Sequence, residues 1–235
     1  MNQFRIVAVE TSSRVGSVAL AQGDRVLGER QFATQTQHAR ELLPTLDELC
    51  REHGWQPDRI DVCCVSIGPG SFTGLRVAVT FARHLALARG IRIVAVPTLS
   101  VIAENATAVS SPPSPLAVVL DAKRGQVFAG AFEYEGDRYH ETIGPCLVEP
   151  HDFLSQFGDR VSVMGEGVDY HEDAIRRAGA QLLDRGLWTP RASGVVTVAR
   201  RMIEEGCFTP PRSLVPFYLR RPEAEEIWEK RFGSK

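Results

Sequence analysis

"FRIVAVETSSRVGSVALAQGDRVLGERQF", residues 4–32, decides the fold. Three apolar runs, FRIVAVE (4–10), VGSVALA (15–21) and RVLGERQF (25–32), are separated only by the links TSSR and QGD. Links this short suit an antiparallel meander of three strands. Next, HARELLPTLDELC (38–50) sets Ala39, Leu42, Leu43, Leu46, Leu49 and Cys50 on one helical stripe, with Pro44 as a point of kinking. RIDVCCVSIG (59–68) is continuously apolar, as in a parallel strand covered on both faces. A helix from Thr73 to Arg89, a buried strand IRIVAV (91–96) and a helix from Thr98 to Val109 follow.

SSPPSPL (110–116) then breaks the pattern, since three prolines in seven residues cannot continue a helix. Beyond it the same order returns. LAVVLDA (116–122), GQVFAGAFEYE (125–135) and DRYHETIGPCLVE (137–149) read as strands. A helix opening at PHDFLSQFG, the strand RVSVMGEG (160–167), a helix from Tyr170 to Ala178, the short strand AQLLD and a helix from Gly194 to Glu205 complete the copy. The order βββαβαβα, met twice, implies two α/β lobes with a mixed sheet in each and a cleft between them. The lobes are placed at 1–109 and 114–208, the second smaller and with a last helix able to pack back on the first. The charged remainder, 209–235, reads as an irregular and partly mobile tail.

Composition narrows the function classes. Of 235 residues, 43% are hydrophobic and 24% charged, and the net charge is −2, so no global basic signal points to nucleic acid. Only Lys123, Lys230 and Lys235 among the 27 cationic residues are lysine, and the arginines are spread along the whole chain, which reads as compositional bias. The apolar run in MNQFRIVAVETSS is too short for a signal-peptide core, and no stretch reaches the ~18 residues of a membrane span. The five cysteines form no Cys-x-x-Cys pair, so a reduced, cytoplasmic protein is expected.

Three features carry candidate chemistry. In both copies the first strand ends in a carboxylate, Glu10 in VETSSRVGS and Asp121 in LDAKRGQ, which suggests that both acids face one cleft. The loop GPGSFTG, with Gly68, Pro69, Gly70, Ser71, Thr73 and Gly74, joins a parallel-type strand to a helix, where backbone N–H groups can hold an anion. It lacks the Gly-Lys-[Ser/Thr] ending of a Walker loop, and a turn capped by Ser71 or Thr73 explains it better. The helix after it spaces Ala78, Ala82 and Ala86 by four for close packing and carries Leu75, Val79 and Leu87 with Arg76, Thr80 and Arg83 on its other side, which suggests either a partner surface or a face covered by the helix at 38–50. The six histidines include no helical His-x-x-x-His pair, and no Gly-x-Ser-x-Gly elbow is present, so no metal site and no nucleophile constellation is expected.

IVAVETSSRVGSVAL, HARELLPTLDELC, IGPGSFTGLRVAVTFARHLAL, VAVPTLS, LDAKRGQVFAGAFE, MGEG and VPFYLRR together resemble the TsaB (YeaZ) family, bacterial proteins that act in making threonylcarbamoyladenosine in tRNA. The resemblance covers most of the chain, and GPGSFTGLR is its most specific piece. It implies the duplicated fold of the sugar kinase, Hsp70 and actin superfamily, shared with the larger relative TsaD, which carries catalysis. TsaD-like chains bear a His-x-x-x-His metal pair where this sequence has Thr98 and Ile102, so the resemblance implies the fold without the metal and without catalytic residues. It implies dimerisation through the helices at 38–50 and 73–89, with TsaD or as a homodimer, placing Leu42, Leu46, Leu75, Arg76, Val79 and Arg83 on that surface. The ATPase TsaE is an implied further partner, and tRNA is reached through the complex.

The superfamily's nucleotide cleft falls on Glu10, Thr11, Ser12, Asp121, Gly165 and Gly167. With an abbreviated second lobe, the resemblance implies no required cofactor and at most weak ATP or ADP binding, at an interface with partners. Two readings follow: a non-catalytic scaffold that activates TsaD, and an independent phosphotransferase or ATPase in which Glu10 and Asp121 hold magnesium.

Overall fold

The computed structural model describes residues 4–35, 37–220 and Trp228. Its first sheet contains β1 (Arg5–Glu10), β2 (Ser17–Gln22), β3 (Arg25–Gln31), β4 (Val62–Gly68) and β5 (Arg92–Pro97), in the order β3-β2-β1-β4-β5. The second contains β6 (Leu116–Asp121), β7 (Val127–Glu135), β8 (Arg138–Val148), β9 (Ser162–Met164) and β10 (Gln181–Leu182), in the order β10-β9-β6-β7-β8. Read from its first strand, each sheet is the same object. β1 pairs antiparallel with β2 and parallel with β4, as β6 pairs antiparallel with β7 and parallel with β9. The duplicated, mixed architecture expected from the meander and its repeat is therefore present.

Strand alternation divides the first core between two helical layers. Val7, Val9, Val18, Leu20, Cys63 and Val65 point toward α1 (His38–Glu52) and α2 (Phe72–Arg89). Ile6, Ala8, Ala19, Cys64, Val94 and Val96 point the other way, onto α6 (Ala192–Glu204). Each fully buried Val, Leu or Ile contributes about 1.5–3 kcal/mol of transfer free energy. Cys63 and Cys64 are fully enclosed, and burial pushes the Cys63 thiol to about 12, so both serve as small apolar residues. α1 runs through Pro44 as one helix.

Helices cross between the halves. α6, the last helix, seals the first sheet with Ala192, Val195, Val196 and Ala199. α3 (Thr98–Glu104), which precedes the proline break, buries Leu99, Ile102 and Ala103 against Leu116, Val118 and Leu120 of the second sheet. α3 is shorter than the helix expected to Val109, because a 3-10 turn takes over at Asn105–Ala108. α4 (Pro150–Ser155) and α5 (Val168–Arg177) cover the other face of the second sheet through Phe153, Leu154 and Ile175. Where α3 meets α6, Arg201 grips Glu104 with both Nη groups, at 2.5 and 3.1 Å. The α6 N-terminus is fixed by Ser17 Oγ, which accepts from the Ala192 amide at 2.9 Å, and by Glu29, which accepts from both the amide and hydroxyl of Ser193.

The first part of the expected tail is irregular, as read from the sequence. Residues 209–220 form no regular element, yet they are docked. The Thr209 amide donates to Ile93 O at 2.8 Å, Leu214 is buried in the first core, and the Phe217 amide donates to Ile67 O at 2.7 Å. Arg220 then reaches the second lobe, donating to the Ala122 carbonyl and the Gln126 side chain. The remainder of the expected tail, apart from Trp228, lies outside the described residues.

Candidate functional site

The glycine loop is filled by its own neighbour. The Ser71 amide donates to Ser12 O at 2.7 Å, and Thr11 Oγ1 donates to Gly74 O at 2.8 Å. A Cβ on Gly74 would lie 1.8 Å from Thr11 O, and one on Gly70 would lie 2.5 Å from Ser12 O. Glycine is thus required because the turn at residues 11–13 presses directly on the loop. Of the two candidate caps, Ser71 is the one used: its Oγ accepts from the Gly74 amide at 3.2 Å. Pro69 follows a cis peptide bond, and Thr73 is exposed on α2. Thr98, at the place of the first histidine of the TsaD pair, accepts the Gly68 amide on its Oγ1 at 3.1 Å. Ile102, at the place of the second, is core. Among the described residues no group of three or more His, Cys, Asp or Glu could hold a metal ion.

The two strand-end carboxylates are spoken for. Glu10 is fully buried, and its Oε1 accepts from both the amide and hydroxyl of Ser12 at 2.5 Å while Ser66 Oγ donates to Oε2. Burial raises its pKa above the ordinary carboxyl value, with the bonds from Ser12 and Ser66 opposing. Thr11 and Ser12 are buried with it. The suggestion that Glu10 faces an open cleft is therefore corrected: the Ser12 turn folds over it. Asp121 is nearly enclosed and holds Lys123 Nζ at 2.7 Å, the Lys123 amide at 3.0 Å and His171 Nε2 at 3.2 Å. Burial pushes Asp121 up, but these bonds outweigh it and its pKa falls below the ordinary value. Gly165 and Gly167 lie against β6: a Cβ on Gly165 would sit 2.2 Å from Val119 O, and the Gly167 amide donates to that same oxygen at 3.0 Å. Arg14 of the first lobe closes toward the second by donating to Tyr170 Oη at 3.1 Å.

What remains open lies on the other side of α2. A groove of about 670 Å³ runs between α1 and α2, lined by Ala39, Leu42, Leu43, Thr73, Arg76, Val77, Thr80, Phe81, His84, Leu85 and Ala88. Its walls are mainly apolar, and Leu43 at its edge is 61% exposed. The residues expected on a partner surface are mostly one step out of phase with it. Leu46, Leu75 and Val79 belong to the buried core, and Leu42 shows only an edge at the groove floor. Arg76 is exposed at the rim, and Arg83 is half-buried outside the lining. The physical reason is the helical phase. Leu75, Ala78, Val79, Ala82 and Ala86 form one stripe against the sheet, so the second stripe is Thr73, Val77, Thr80, Phe81, His84, Leu85 and Ala88. That stripe recurs every three or four residues and was readable in the sequence.

The sequence profile of the family described as "TsaD: tRNA N6-adenosine threonylcarbamoyltransferase" matches residues 31–228. The chain belongs to that family. It is 29% identical over 230 residues to the tRNA threonylcarbamoyladenosine biosynthesis protein TsaB of Bacillus subtilis, covering 95% of this chain and 97% of the relative. It is 26% identical to TsaB of Escherichia coli, covering 99% and 100%. Among solved structures, an uncharacterized Pseudomonas aeruginosa protein with similarity to peptidase YEAZ superposes with a TM-score of 0.80 at 25% identity, over 92% of this chain and all of that one. YeaZ from the same organism gives 0.78 at 25% identity, with the same coverage. The resemblance drawn from GPGSFTGLR and its companions is thus met by relatives that run the whole length. No helix among the described residues is long and apolar enough to cross a membrane.

Proposed function

We propose that this chain is a non-catalytic subunit in the biosynthesis of threonylcarbamoyladenosine on tRNA, and that it acts by docking a TsaD subunit on the α1–α2 groove. The groove itself carries this reading: a long apolar trough that none of the described residues covers is the feature a protein partner removes from water. The full-length likeness to proteins named for this pathway supports the process. TsaE and tRNA would join through the complex, and a homodimer through the same groove would be the resting alternative.

The scaffold role is favoured over an independent phosphotransferase by the state of the two acids. Glu10 has no open edge, and Asp121 already binds a lysine and a histidine. A magnesium site would have to displace all of these. Any ATP or ADP bound by this chain would then bind weakly and at a partner interface. The test is reconstitution. TsaD, TsaE and the enzyme that supplies the threonylcarbamoyl donor should modify tRNA only when this chain is added, and the isolated chain should not turn over Mg-ATP. Turnover by the isolated chain that is lost in Asp121→Asn would establish the phosphotransferase instead.

A further inference from the structure

Arg76 is the charged group at the rim of the groove whose orientation is fixed before anything binds. Its Nε donates to Tyr218 Oη at 3.2 Å, and its guanidinium carbon lies 3.8 Å from the centroid of the Phe72 ring. Phe72 and Tyr218 are themselves in ring contact, with centroids 5.0 Å apart. Behind Tyr218 the segment is anchored by buried Leu214 and by the Phe217 amide on Ile67 O. The segment after it is pinned by Arg220 on the β6–β7 turn. One edge and one face of the guanidinium are thus used, while its two Nη groups have no partner among the described residues. A planar fork held with its terminal edge open matches a carboxylate in bidentate geometry.

The charge around it selects the partner. α2 carries Arg76, Arg83, His84 and Arg89 and no acidic residue at all. On α1, Asp47 is paired with Arg51, and Glu48 and Glu52 with Arg30, which leaves only Glu41 for a second copy to offer. Two copies joined face to face through α2 would bring arginine toward arginine. A partner helix that is apolar along its centre and acidic beside it fits better.

We infer that Arg76, held by Tyr218 and Phe72, is a preset receptor for a carboxylate side chain on the docked partner, and that the docked C-terminal segment serves to hold it. This rests on the groove being the docking surface for TsaD. The effect of pre-orientation is to remove the cost of ordering a long side chain on binding.

The experiment is a double-mutant cycle on binding of TsaD to the full chain, read by calorimetry. Arg76→Gln should weaken binding by ~10-fold or more, as loss of an interface arginine does. Arg76→Lys should recover little of it, since a point charge is not a fork. Tyr218→Phe keeps the ring and removes only the hydroxyl; it should weaken binding ~3-fold in the wild-type background and have no effect beside Arg76→Gln. Equal effects of Tyr218→Phe in both backgrounds, or wild-type affinity of Arg76→Lys, would overturn the inference. So would a loss confined to self-association, which would assign the carboxylate to a second copy. Phe81→Glu separates this from the docking reading. If it abolishes binding while Arg76→Gln leaves affinity unchanged, only the carboxylate receptor fails. If it leaves binding intact, both fail.

Discussion

Thr11 and Gly74 are joined so closely that the turn after β1 and the start of α2 form one unit. Thr11 Oγ1 donates to the Gly74 carbonyl at 2.8 Å, and Thr11 O occupies the space where a side chain on Gly74 would begin. Gly74→Ala should therefore displace α2 or the turn and cost more than about 3 kcal/mol, beyond the ordinary range for single substitutions. Chemical denaturation measures it. A cost below about 1 kcal/mol would mean that the turn yields easily, against its close packing on Gly74.

The Arg201–Glu104 fork should behave as a largely buried pair whose partners are needed together. Arg201→Met leaves Glu104 enclosed without its cation between α3 and α6, and should cost about 3 kcal/mol. Adding Glu104→Gln should recover a large part of that loss. Additive costs in the double variant would show that the two side chains are not coupled.

His38 sets a pH dependence of known sign. It is buried, its Nε2 lies 2.9 Å from the Ser13 carbonyl, and its Nδ1 has no hydrogen-bond partner. Burial lowers its pKa, with the Ser13 carbonyl opposing. The unfolded chain then binds the proton more tightly, so the stability His38 contributes is complete above the ordinary histidine value of about 6.5 and is lost as pH falls below it. His38→Gln should lose less stability than the wild type between pH ~7 and ~5.5 in thermal melts. Identical losses in the two proteins would remove His38 from the account.

Much of this arrangement was legible because it rests on local signals. The short links TSSR and QGD fixed the meander, and the repeat of LDAKRGQ after VETSSRVGS fixed the second sheet. Other features depend on contacts between distant residues. The last helix was expected to be able to pack back on the first lobe, and α6 does so, but the crossing of α3 onto the second sheet leaves no local mark, since Leu99 and Ile102 read as core wherever the core is. The Ser12 turn that closes over Glu10 is indistinguishable in sequence from one that leaves a carboxylate open. The docking of 209–220 hangs on Leu214 and two backbone amides, too sparse a signal amid prolines and charges. On α2 the alanines do pack inward as expected, but Leu75 and Val79, read as the opposite face, share their buried stripe, and the open stripe through Val77, Phe81 and Leu85 was not singled out.

That misassignment changes which substitution tests partner docking. Val79 is 5% exposed and packs in the first core, so a charge there would unfold the lobe before it informed on association. Phe81 lines the groove and is only partly buried, while Leu87, 70% exposed on the same helix, lies outside the lining. The decisive measurement is calorimetric titration of TsaD with Phe81→Glu, with Leu87→Glu as the control and circular dichroism to verify folding. Folded Phe81→Glu is expected to lose detectable binding and Leu87→Glu to bind within about 3-fold of wild type, since only a groove residue buried by the partner carries a large share of the energy. Wild-type affinity for Phe81→Glu would contradict docking on the groove.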